Sequence, residues 1–480
     1  MEKEILRMEN VISEDKRLSN VYNINLHIFE KEILGLISIN AIGMEMLLRL
    51  IECNDSIKFG RIYFQEQLVN NYMHSSGKKN RVYILEQKSK LIPYMKIYDN
   101  IFVMRGNLKK YYITGRKLRR QLLFFLKKYN LSLSPDAVSS DLSVFERCMV
   151  ELLKAHIMGA RLIIVKDLAS FLSTEELVQI KAFLKELVKE KTAVLYISNI
   201  QGDVLSVCDR AAIMKDGRIV KILNKHELTK DYLKHYMKAY EKQFEKQEAY
   251  RGENNIEIRK ICVPGYKDIS FSMKNGECVV LYDKEHKLEY GIGDFLSGYK
   301  ECSGEIYYEG LLLKRKKRKG YSLKDVSVID IDPVKKMIFY NMNYIENLSY
   351  GLEKKLSGNK LKKRYTKNIQ CEYEKYIGKE VYTENLWSLE KKSLYNIVYY
   401  RIHLLNPKIV FILQPFWGAD IFDRHYIANL IQVLTKKGIA VIIITANIPD
   451  DFYVANAVYE IEENGIKSED SPLHSEDTPL

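Results

Sequence analysis

An internal repeat is the feature that most constrains the fold of this 480-residue chain. In the first half, the strand-like INLHIFEKEILGLI (24–37) leads through a loop into the amphipathic MEMLLRLIE (44–52). In the second half, ISFSMKNGECVVLY (269–282) leads through a loop into EYGIGDFLSG (289–298). Strand patterns that alternate with helix patterns are typical of α/β sheets, so the repeat predicts the same α/β unit twice.

Two further pairs of segments match across the halves. RLIIVKD (161–167) corresponds to KIVFILQ (408–414), and KTAVLYISN (191–199) corresponds to IAVIIITAN (439–447). Each contains a continuous apolar run, which is typical of a parallel strand that is buried on both faces. The sequence therefore predicts a mainly parallel sheet in each half.

Charge and composition divide the chain into domains. We expect one domain over residues 1–240 and a second over 256–465, separated by a charged linker at 241–255. Residues 466–480 contain the acidic hexamers SEDSPL and SEDTPL, a composition that predicts a disordered tail.

Composition also limits the functional classes. The net charge of +13 favours an acidic partner, although a general excess of lysine gives the same charge, and the run KRKKRK (314–319) fits either a phosphate contact or a solvated loop. The seven cysteines form no CxxC pair, which argues against a zinc site or a disulfide framework. No apolar run approaches the roughly 20 residues of a membrane-spanning helix. We expect a cytoplasmic protein that reaches the membrane only through a partner.

Four segments carry a resemblance to a known family. They are YILEQKSKLIPYMKIYDNIF (83–102), DLSVFERCMVELLKAH (141–156), KDLASFLSTEE (166–176) and NPKIVFILQPFWGAD (406–420). In order and spacing they resemble the tandem ATP-binding cassette (ABC) subunits of bacterial monosaccharide importers of the ribose and galactose type. The resemblance covers nearly the whole chain. It implies two P-loop NTPase-like cassettes in tandem, each a mainly parallel sheet with a small helical subdomain.

The first phosphate loop departs from the family pattern at its chemical positions. A working loop reads GxxxxGK[ST], in which backbone N–H groups and the lysine bind phosphates and the hydroxyl binds Mg²⁺. The corresponding residues in this chain are Ser38, Asn40, Gly43, Met44 and Glu45. Met44 stands at the lysine position and Glu45 at the magnesium-binding hydroxyl, so the charge of the loop is inverted.

The other catalytic positions of the first half are also changed. The resemblance places Lys166 where the family has the metal-binding Asp, Asp167 where it has the general base, and Asn199 where it has the switch His. Gln87 is retained at the Q-loop position. Phe145 replaces a glycine of the signature segment.

The second half departs further. Its phosphate-loop and catalytic positions are occupied by Asp283, Leu288, Glu289, Tyr290, Leu413, Gln414 and Ala446. Glu289 stands at the lysine position, Tyr290 at the hydroxyl, Leu413 at the metal-binding Asp and Gln414 at the general base. Because each composite site of the family combines one phosphate loop with another cassette's signature segment, every pairing in this protein meets a degenerate loop.

Two substitution patterns are testable. Glu45 and Lys166 stand where the hydroxyl and the Asp would meet one Mg²⁺, which predicts an ion pair in place of the metal. The alternative is that both side chains have turned to solvent. Tyr290 and Leu413 stand at the same two positions of the second half and predict an apolar plug.

These residues favour a degenerate, non-hydrolysing tandem ABC protein without a cofactor, associated with the permease of a sugar-type transporter. It would be structural or regulatory and peripheral at the inner face of the cell membrane. The resemblance implies transmembrane permease subunits as partners, with a dimer formed with itself or with an active cassette. One alternative is a divergent importer subunit that still binds and hydrolyses ATP with Mg²⁺. Another is an RNA- or ribosome-associated tandem cassette protein, but the short linker of mixed charge argues against nucleic acid.

Overall fold

The computed structural model divides the chain into two compact units, Met1–Gln243 and Phe244–Leu480. The residues that it describes are 3–13, 20–75, 77–102, 115–229, 232–233, 253–284, 287–298, 302–316, 320–352, 363–446, 448 and 454–468. Within them, none of the helices combines the length and the apolar content needed to cross a bilayer.

The first unit contains two sheets and six helices among its described residues. The strands are β1 (Glu4–Ile12), β2 (Ile24–Phe29), β3 (Ile33–Ser38), β4 (Phe59–Phe64), β5 (Gln67–Asn71), β6 (Val82–Leu85), β7 (Leu162–Lys166), β8 (Ala193–Ile197), β9 (Arg210–Lys215) and β10 (Arg218–Leu223). The helices are α1 (Met44–Cys53), α2 (Ile97–Phe102), α3 (Gly115–Lys128), α4 (Val144–Ile157), α5 (Thr174–Val188) and α6 (Gln201–Val207).

The larger sheet of the first unit has the strand order β10-β9-β3-β8-β7-β6. Its five strands from β9 to β6 are parallel, and only β10 runs antiparallel at the edge. The smaller sheet is antiparallel, with the order β2-β1-β4-β5. Helix α1 buries its apolar side in the core that the two sheets share.

The second unit repeats this plan. Its strands are β11 (Asn255–Val263), β12 (Tyr266–Lys274), β13 (Cys278–Tyr282), β14 (Ser303–Tyr308), β15 (Leu311–Leu312), β16 (Val326–Ile329), β17 (Ile409–Leu413), β18 (Ala440–Thr445), β19 (Ala457–Glu462) and β20 (Gly465–Ser468). Its helices are α7 (Leu288–Ser297), α8 (Pro333–Lys336), α9 (Tyr344–Leu348), α10 (Lys363–Ile377), α11 (Lys391–Leu405) and α12 (Ile421–Lys436).

The strand orders of the second unit match those of the first, one for one. The large sheet is β20-β19-β13-β18-β17-β16 and the small sheet is β12-β11-β14-β15. All pairs of the large sheet are parallel except the β19–β20 pair at its edge. The predicted pair of mainly parallel α/β units is therefore confirmed.

The repeat extends to individual hydrogen bonds in the helical part of each unit. Asn100 in α2 accepts from the Ile92 N–H at 2.7 Å and donates to the Met95 carbonyl at 3.3 Å. In the second unit, Asn347 accepts from the Phe339 N–H at 2.9 Å and donates to a carbonyl three residues further along at 3.2 Å. Both asparagines are almost fully buried, so each one fixes the loop ahead of its helix through groups that would otherwise lose water contacts.

Two boundaries differ from the sequence analysis. The predicted tail begins at residue 466, but β20 continues to Ser468 because Ile466 packs against the apolar core of the second unit. Residues 469–480 lie outside the described residues. Likewise, Asn255 at the end of the predicted linker opens β11, and 241–252 lie outside the described residues.

The KRKKRK run is in part structural. The Arg315 guanidinium donates to the carbonyls of Phe295 at 2.9 Å and Cys302 at 3.0 Å, so it satisfies a carbonyl in the last turn of α7. Residues 317–319 lie outside the described residues.

In each unit a tyrosine hydroxyl contacts a partly buried histidine, and the electrostatic surroundings of the two histidines differ. Tyr129 Oη lies 3.0 Å from His156 Nε2, and the Glu190 carboxylate lies 3.3 Å from the same nitrogen. In the second unit, His403 Nδ1 lies 2.9 Å from Tyr373 Oη and 3.3 Å from the ammonium of Lys437. Lys437 is the counterpart of Glu190. Because a lysine ammonium can only donate, Nδ1 of His403 is the unprotonated nitrogen.

This charge reversal affects titration. Burial lowers the pKa of His156, while Glu190 opposes the shift. Burial and, to a smaller extent, the Lys437 ammonium lower the pKa of His403 to about 4. Between about pH 6.5 and pH 4 the unfolded chain therefore binds a proton at His403 that the folded chain does not bind. The free energy of unfolding should fall as the pH drops through this window.

Replacing Lys437 by Glu should raise the pKa of His403 and reduce this loss of stability in acid, because a carboxylate favours the imidazolium that the ammonium opposes. Histidine side-chain resonances titrated by NMR report the pKa, and urea unfolding at pH 7 and pH 5 reports the stability. Lys437→Gln is the control, which removes the charge without reversing it and should give a smaller rise. An unchanged His403 pKa in both variants would contradict this account.

Candidate functional site

The first phosphate-loop position lies between β3 and α1, at the carboxyl edge of the parallel strands. Gly43 adopts φ +79° as the residue before α1, a left-handed conformation that glycine reaches without a steric penalty. A Cβ at Gly43 would lie 2.9 Å from the carbonyl oxygen of Asn20 and 2.9 Å from Gly217 Cα. The surviving glycine of the loop is thus required by close packing with neighbouring chain segments.

Met44, at the lysine position, is directed into the protein. It is only 7% exposed and belongs to the apolar core beneath the larger sheet. In a working loop this side chain would extend toward phosphates outside the core. Burial of the Met44 thioether therefore removes both the charge and the direction that phosphate binding needs.

The backbone and polar groups of the first loop bind other parts of the same unit. The Ile39 N–H donates to the Met214 carbonyl at 2.9 Å. Asn40 donates to the Asp216 carboxylate at 2.7 Å and accepts from the Asp216 N–H at 3.0 Å. Ser38 donates its hydroxyl to the Asn40 carbonyl within the loop. These bonds fasten the loop to the β9–β10 turn.

The predicted ion pair between Glu45 and Lys166 is wrong. Both residues lie in the described part of the chain, and no contact of 4.0 Å or less joins their charged atoms. Glu45 is exposed in the first turn of α1, where a carboxylate is favoured by the helix dipole. Lys166 ends β7 half-buried. The solvent-directed alternative therefore describes Glu45.

The backbone has the same conformation after β7 and after β17, although the side chains there differ from those of the family pattern. Asp167 adopts φ +49°, and its N–H donates to the Ile197 carbonyl at 2.9 Å. Gln414 at the equivalent place in the second unit adopts φ +44°, and its N–H donates to the Ile444 carbonyl at 2.8 Å. Asn199 follows β8 half-buried, and Gln87 is exposed.

In the second unit a carboxylate binds the start of the phosphate-loop helix. Asp283 is 1% exposed, and its Oδ2 accepts from the Leu288 N–H at 2.6 Å, the first residue of α7. Its Oδ1 accepts from the hydroxyl of Tyr266, which is also buried. Helix N-termini are anion sites because their N–H groups point outward along the helix dipole. In this unit the anion is part of the chain.

A second carboxylate joins the three segments that meet at the sheet edge. Glu289 Oε2 accepts from Gln414 Nε2 at 2.8 Å. Gln414 Oε1 in turn accepts from the Thr445 hydroxyl at 3.1 Å and from the Ala446 N–H at 3.4 Å. All four residues are buried. The positions of the lysine, the general base and the switch histidine thus form one polar network.

Leu413 is buried beside this network, at 6% exposure. The predicted apolar plug pairs it with Tyr290, whose side chain lies outside the described residues, so that pairing stays a prediction. The described contacts at this corner are polar, through Glu289, Gln414 and Thr445.

The side chains of both loops are unsuited to a magnesium–triphosphate. Such a group needs positive charge, free backbone N–H groups and oxygen ligands for the metal. The first unit instead buries Met44 and exposes Glu45, and the second places the carboxylates of Asp283 and Glu289 at the loop. No catalytic step through a nucleotide follows from this arrangement.

The chain is similar in sequence to known proteins over nearly its whole length. The ABC transporter family matches residues 21–167. The ribose import ATP-binding protein RbsA of Caldanaerobacter subterraneus subsp. tengcongensis is 23% identical over 480 residues, covering 97% of this chain and 96% of its own length. The protein of the same name from Clostridium perfringens (strain SM101) is 24% identical over 479 residues, covering 97% and 95%.

The chain is a homologue of these tandem ATP-binding cassette proteins. Each of its two units has the fold of an ATP-binding cassette, and we call Met1–Gln243 the first cassette and Phe244–Leu480 the second cassette. Among solved structures, a nucleotide-free ATP-binding cassette from an ABC transporter is 18% identical, with a TM-score of 0.42, and covers 48% of this chain and 95% of that chain.

Three residues of the site were not found from the sequence. Thr445 directly precedes Ala446, so it could have been found by also considering the residue before the switch position. Asp216 lies in an Asp-Gly turn, which predicts the turn but not the bond to Asn40. Tyr266 precedes Asp283 by 17 residues and carries no motif.

Restoring the lysine of the first loop should destabilise the protein. Met44→Lys should lower the free energy of unfolding by at least about 2 kcal/mol, because an ammonium replaces a buried thioether. Met44→Leu, which keeps an apolar side chain of similar volume, should cost less than about 1.5 kcal/mol. Urea unfolding of the full chain measures both. Equal stability of the two variants would mean that the side chain at position 44 reaches solvent, as in a working phosphate loop.

Proposed function

We propose that the protein is a non-hydrolysing tandem cassette subunit that binds the permease of a sugar-type ABC importer at the inner face of the membrane. Relatives named as ribose import proteins align with nearly its whole length, which supports the assembly. The inverted charge of both phosphate loops supports the absence of hydrolysis. On this proposal the protein needs neither ATP nor Mg²⁺ and acts as a structural or regulatory component.

The Asp283 carboxylate at the start of α7 is the observation that carries the proposal. A triphosphate in the second cassette would have to displace it from the Leu288 N–H and from Tyr266. If Asp283 remained in place, a phosphate charge about 4 Å away would meet a repulsion on the order of 4 kcal/mol at an effective dielectric constant of about 20. Glu289 adds a second negative charge where the family has a lysine.

The first cassette supports the same conclusion by a different route. At the lysine position its loop has Met44, whose side chain is part of the apolar core. Lys166 stands where the family has the metal-binding carboxylate. Without a loop lysine, a metal ligand or a base, the charge that develops in phosphoryl transfer has no stabilising group.

A divergent ATP-binding importer subunit is the second candidate. The match of this chain to relatives named as ATP-binding proteins over 95–96% of their length favours it. The two candidates differ in nucleotide binding, since a motor must bind ATP at cellular concentration.

Thermal unfolding of the full chain with and without 5 mM Mg-ATP, about the cellular concentration, separates these candidates. A ligand present at 100 times its Kd stabilises a protein by about 2.7 kcal/mol, so a motor should show a clear rise in Tm. We expect no rise and no phosphate release for this protein, because its loops oppose the charge of a triphosphate. The Clostridium perfringens relative is the positive control. A rise in Tm together with phosphate release would favour the second candidate and contradict ours.

The helical part of the first cassette presents apolar side chains to solvent. Tyr94 is 89% exposed in the loop that Asn100 holds, and Phe124 is 66% exposed on α3. Glu151, almost fully buried in α4, accepts from Tyr83, from the Ser89 hydroxyl and from the Lys90 N–H, so the segment before Tyr94 is rigidly held. In the family this region binds permease, and a fixed loop with exposed aromatics suits such a contact.

Tyr94→Asp and Phe124→Asp should each weaken recovery of permease, because a charge replaces an aromatic contact. The tagged full chain is isolated from detergent-solubilised membranes, and multispanning permeases of the sugar-importer class are quantified by mass spectrometry. Tyr72→Asp is the matched control, since Tyr72 is 59% exposed and follows β5 in the smaller sheet. Equal recovery with all three variants would contradict docking through this surface, whatever the result of the ATP experiment.

A further inference from the structure

We propose that the second cassette binds a small amine with an apolar body in a cavity beside α7. The cavity measures about 660 Å³, within the range of about 300–1,000 Å³ that is usual for small-molecule sites. It runs between α7 and the segment that includes β16 and α8. Its lining includes Glu289, Gly293, Leu296, Val328, Met337 and Leu413.

Two glycines in α7 identify the open side of the helix. Glycine weakens a helix interior, so each one calls for a packing reason. Gly291 has one, because a Cβ there would lie 2.6 Å from Val263 Cβ. A Cβ at Gly293 would meet no atom within 4 Å, because this residue faces the cavity. Gly293 therefore keeps space open where no neighbouring residue requires it.

The counterpart of Gly293 in the first cassette carries a large side chain. Glu289 is the counterpart of Met44, so Gly293 is the counterpart of Leu48, one helical turn further along. Leu48 is buried in the core of the first cassette. The two cassettes share one backbone plan, and the second has no side chain at the position that Leu48 occupies in the first.

The charges of the lining favour a cation. It contains two carboxylates, Glu289 and Asp330, and one ammonium, that of Lys336. Lys336 and Asp330 pair at 3.0 Å near the surface, while Glu289 is buried at 7% exposure. A buried carboxylate attracts a cation more strongly than an exposed one, because less water screens the pair.

The rest of the lining favours an apolar body. Leu296, Val328, Met337 and Leu413 contribute hydrophobic surface along the cavity. Burial of apolar ligand surface against such side chains supplies binding energy, and the charged end fixes the orientation. An anionic ligand, a triphosphate included, would face the Glu289 carboxylate.

Three probes of similar size test this assignment on the full chain: phenethylammonium, 2-phenylethanol and 3-phenylpropanoate. Saturation-transfer NMR detects binding, and titration calorimetry gives Kd. We expect phenethylammonium to bind at least tenfold more tightly than 2-phenylethanol, and 3-phenylpropanoate to bind most weakly. Equal affinity for the three probes, or no binding of the amine, would overturn the proposal.

Gly293→Leu tests the location of the site, because it introduces the leucine of the first cassette into the open space. Binding of phenethylammonium should fall at least tenfold while Tm stays the same or rises. Gly202→Leu is the matched control: Gly202 lies in α6 of the first cassette, and a Cβ there also meets no atom within 4 Å. This control should leave binding unchanged. Unchanged binding in Gly293→Leu, or an equal loss in Gly202→Leu, would place the amine elsewhere and overturn the proposal.

Glu289→Gln tests the charge while keeping the shape of the cavity. The preference for phenethylammonium over 2-phenylethanol should decrease at least fivefold, with little change in the affinity of the alcohol. A preserved preference would show that Glu289 is not the group that selects the amine. This variant also gives a result if the larger Gly293→Leu change prevents folding.

Discussion

The structure depends on the geometry of a parallel sheet edge. In both cassettes the strand after the long helix α4 or α11 is followed by a residue of positive φ, Asp167 or Gln414. The N–H of this residue donates to a carbonyl of the neighbouring strand. The hydrogen bond of this junction uses backbone atoms only, so it does not depend on the side chains of the catalytic positions. The two cassettes therefore keep the same fold although the side chains at this edge differ between them.

Removal of a phosphate leaves polar backbone groups that still need partners, because buried N–H groups are costly when unsatisfied. The two cassettes meet this requirement differently. The first fastens its loop to the β9–β10 turn through Asn40 and Asp216 and buries Met44. The second supplies carboxylates from within the chain, through Asp283 and Glu289. In both arrangements polar groups of the loop find partners within the chain.

The sequence predicted what depends on pattern and order. The repeat and the apolar runs predicted the two large sheets. The motif order placed Asp167 at the edge of the first of these sheets, and Gln414 and Ala446 at the corresponding edge of the second. The sequence pattern did not predict the direction in which each side chain points. Glu45 and Lys166 occupy the expected positions without pairing, because an exposed carboxylate in a first helical turn is already stabilised by solvent and the helix dipole. The bond from Tyr266 to Asp283 depends on the packing of β12 against the loop, which no local pattern encodes.

The two cassettes diverge at the phosphate corner but agree in the helical part. Asn100 and Asn347 make the same pair of backbone bonds to loops whose sequences differ, LIPYMK and MIFYNM. When a buried asparagine amide bonds several backbone groups, a change in either the asparagine or the loop destabilises the protein. We therefore expect such an asparagine to be kept where the loop must hold one shape. A nucleotide corner can be refilled in several ways once phosphate is absent, whereas a loop that presents side chains to a partner has one useful shape. The contrast between these regions is what a protein retained for binding, rather than for hydrolysis, would be expected to have.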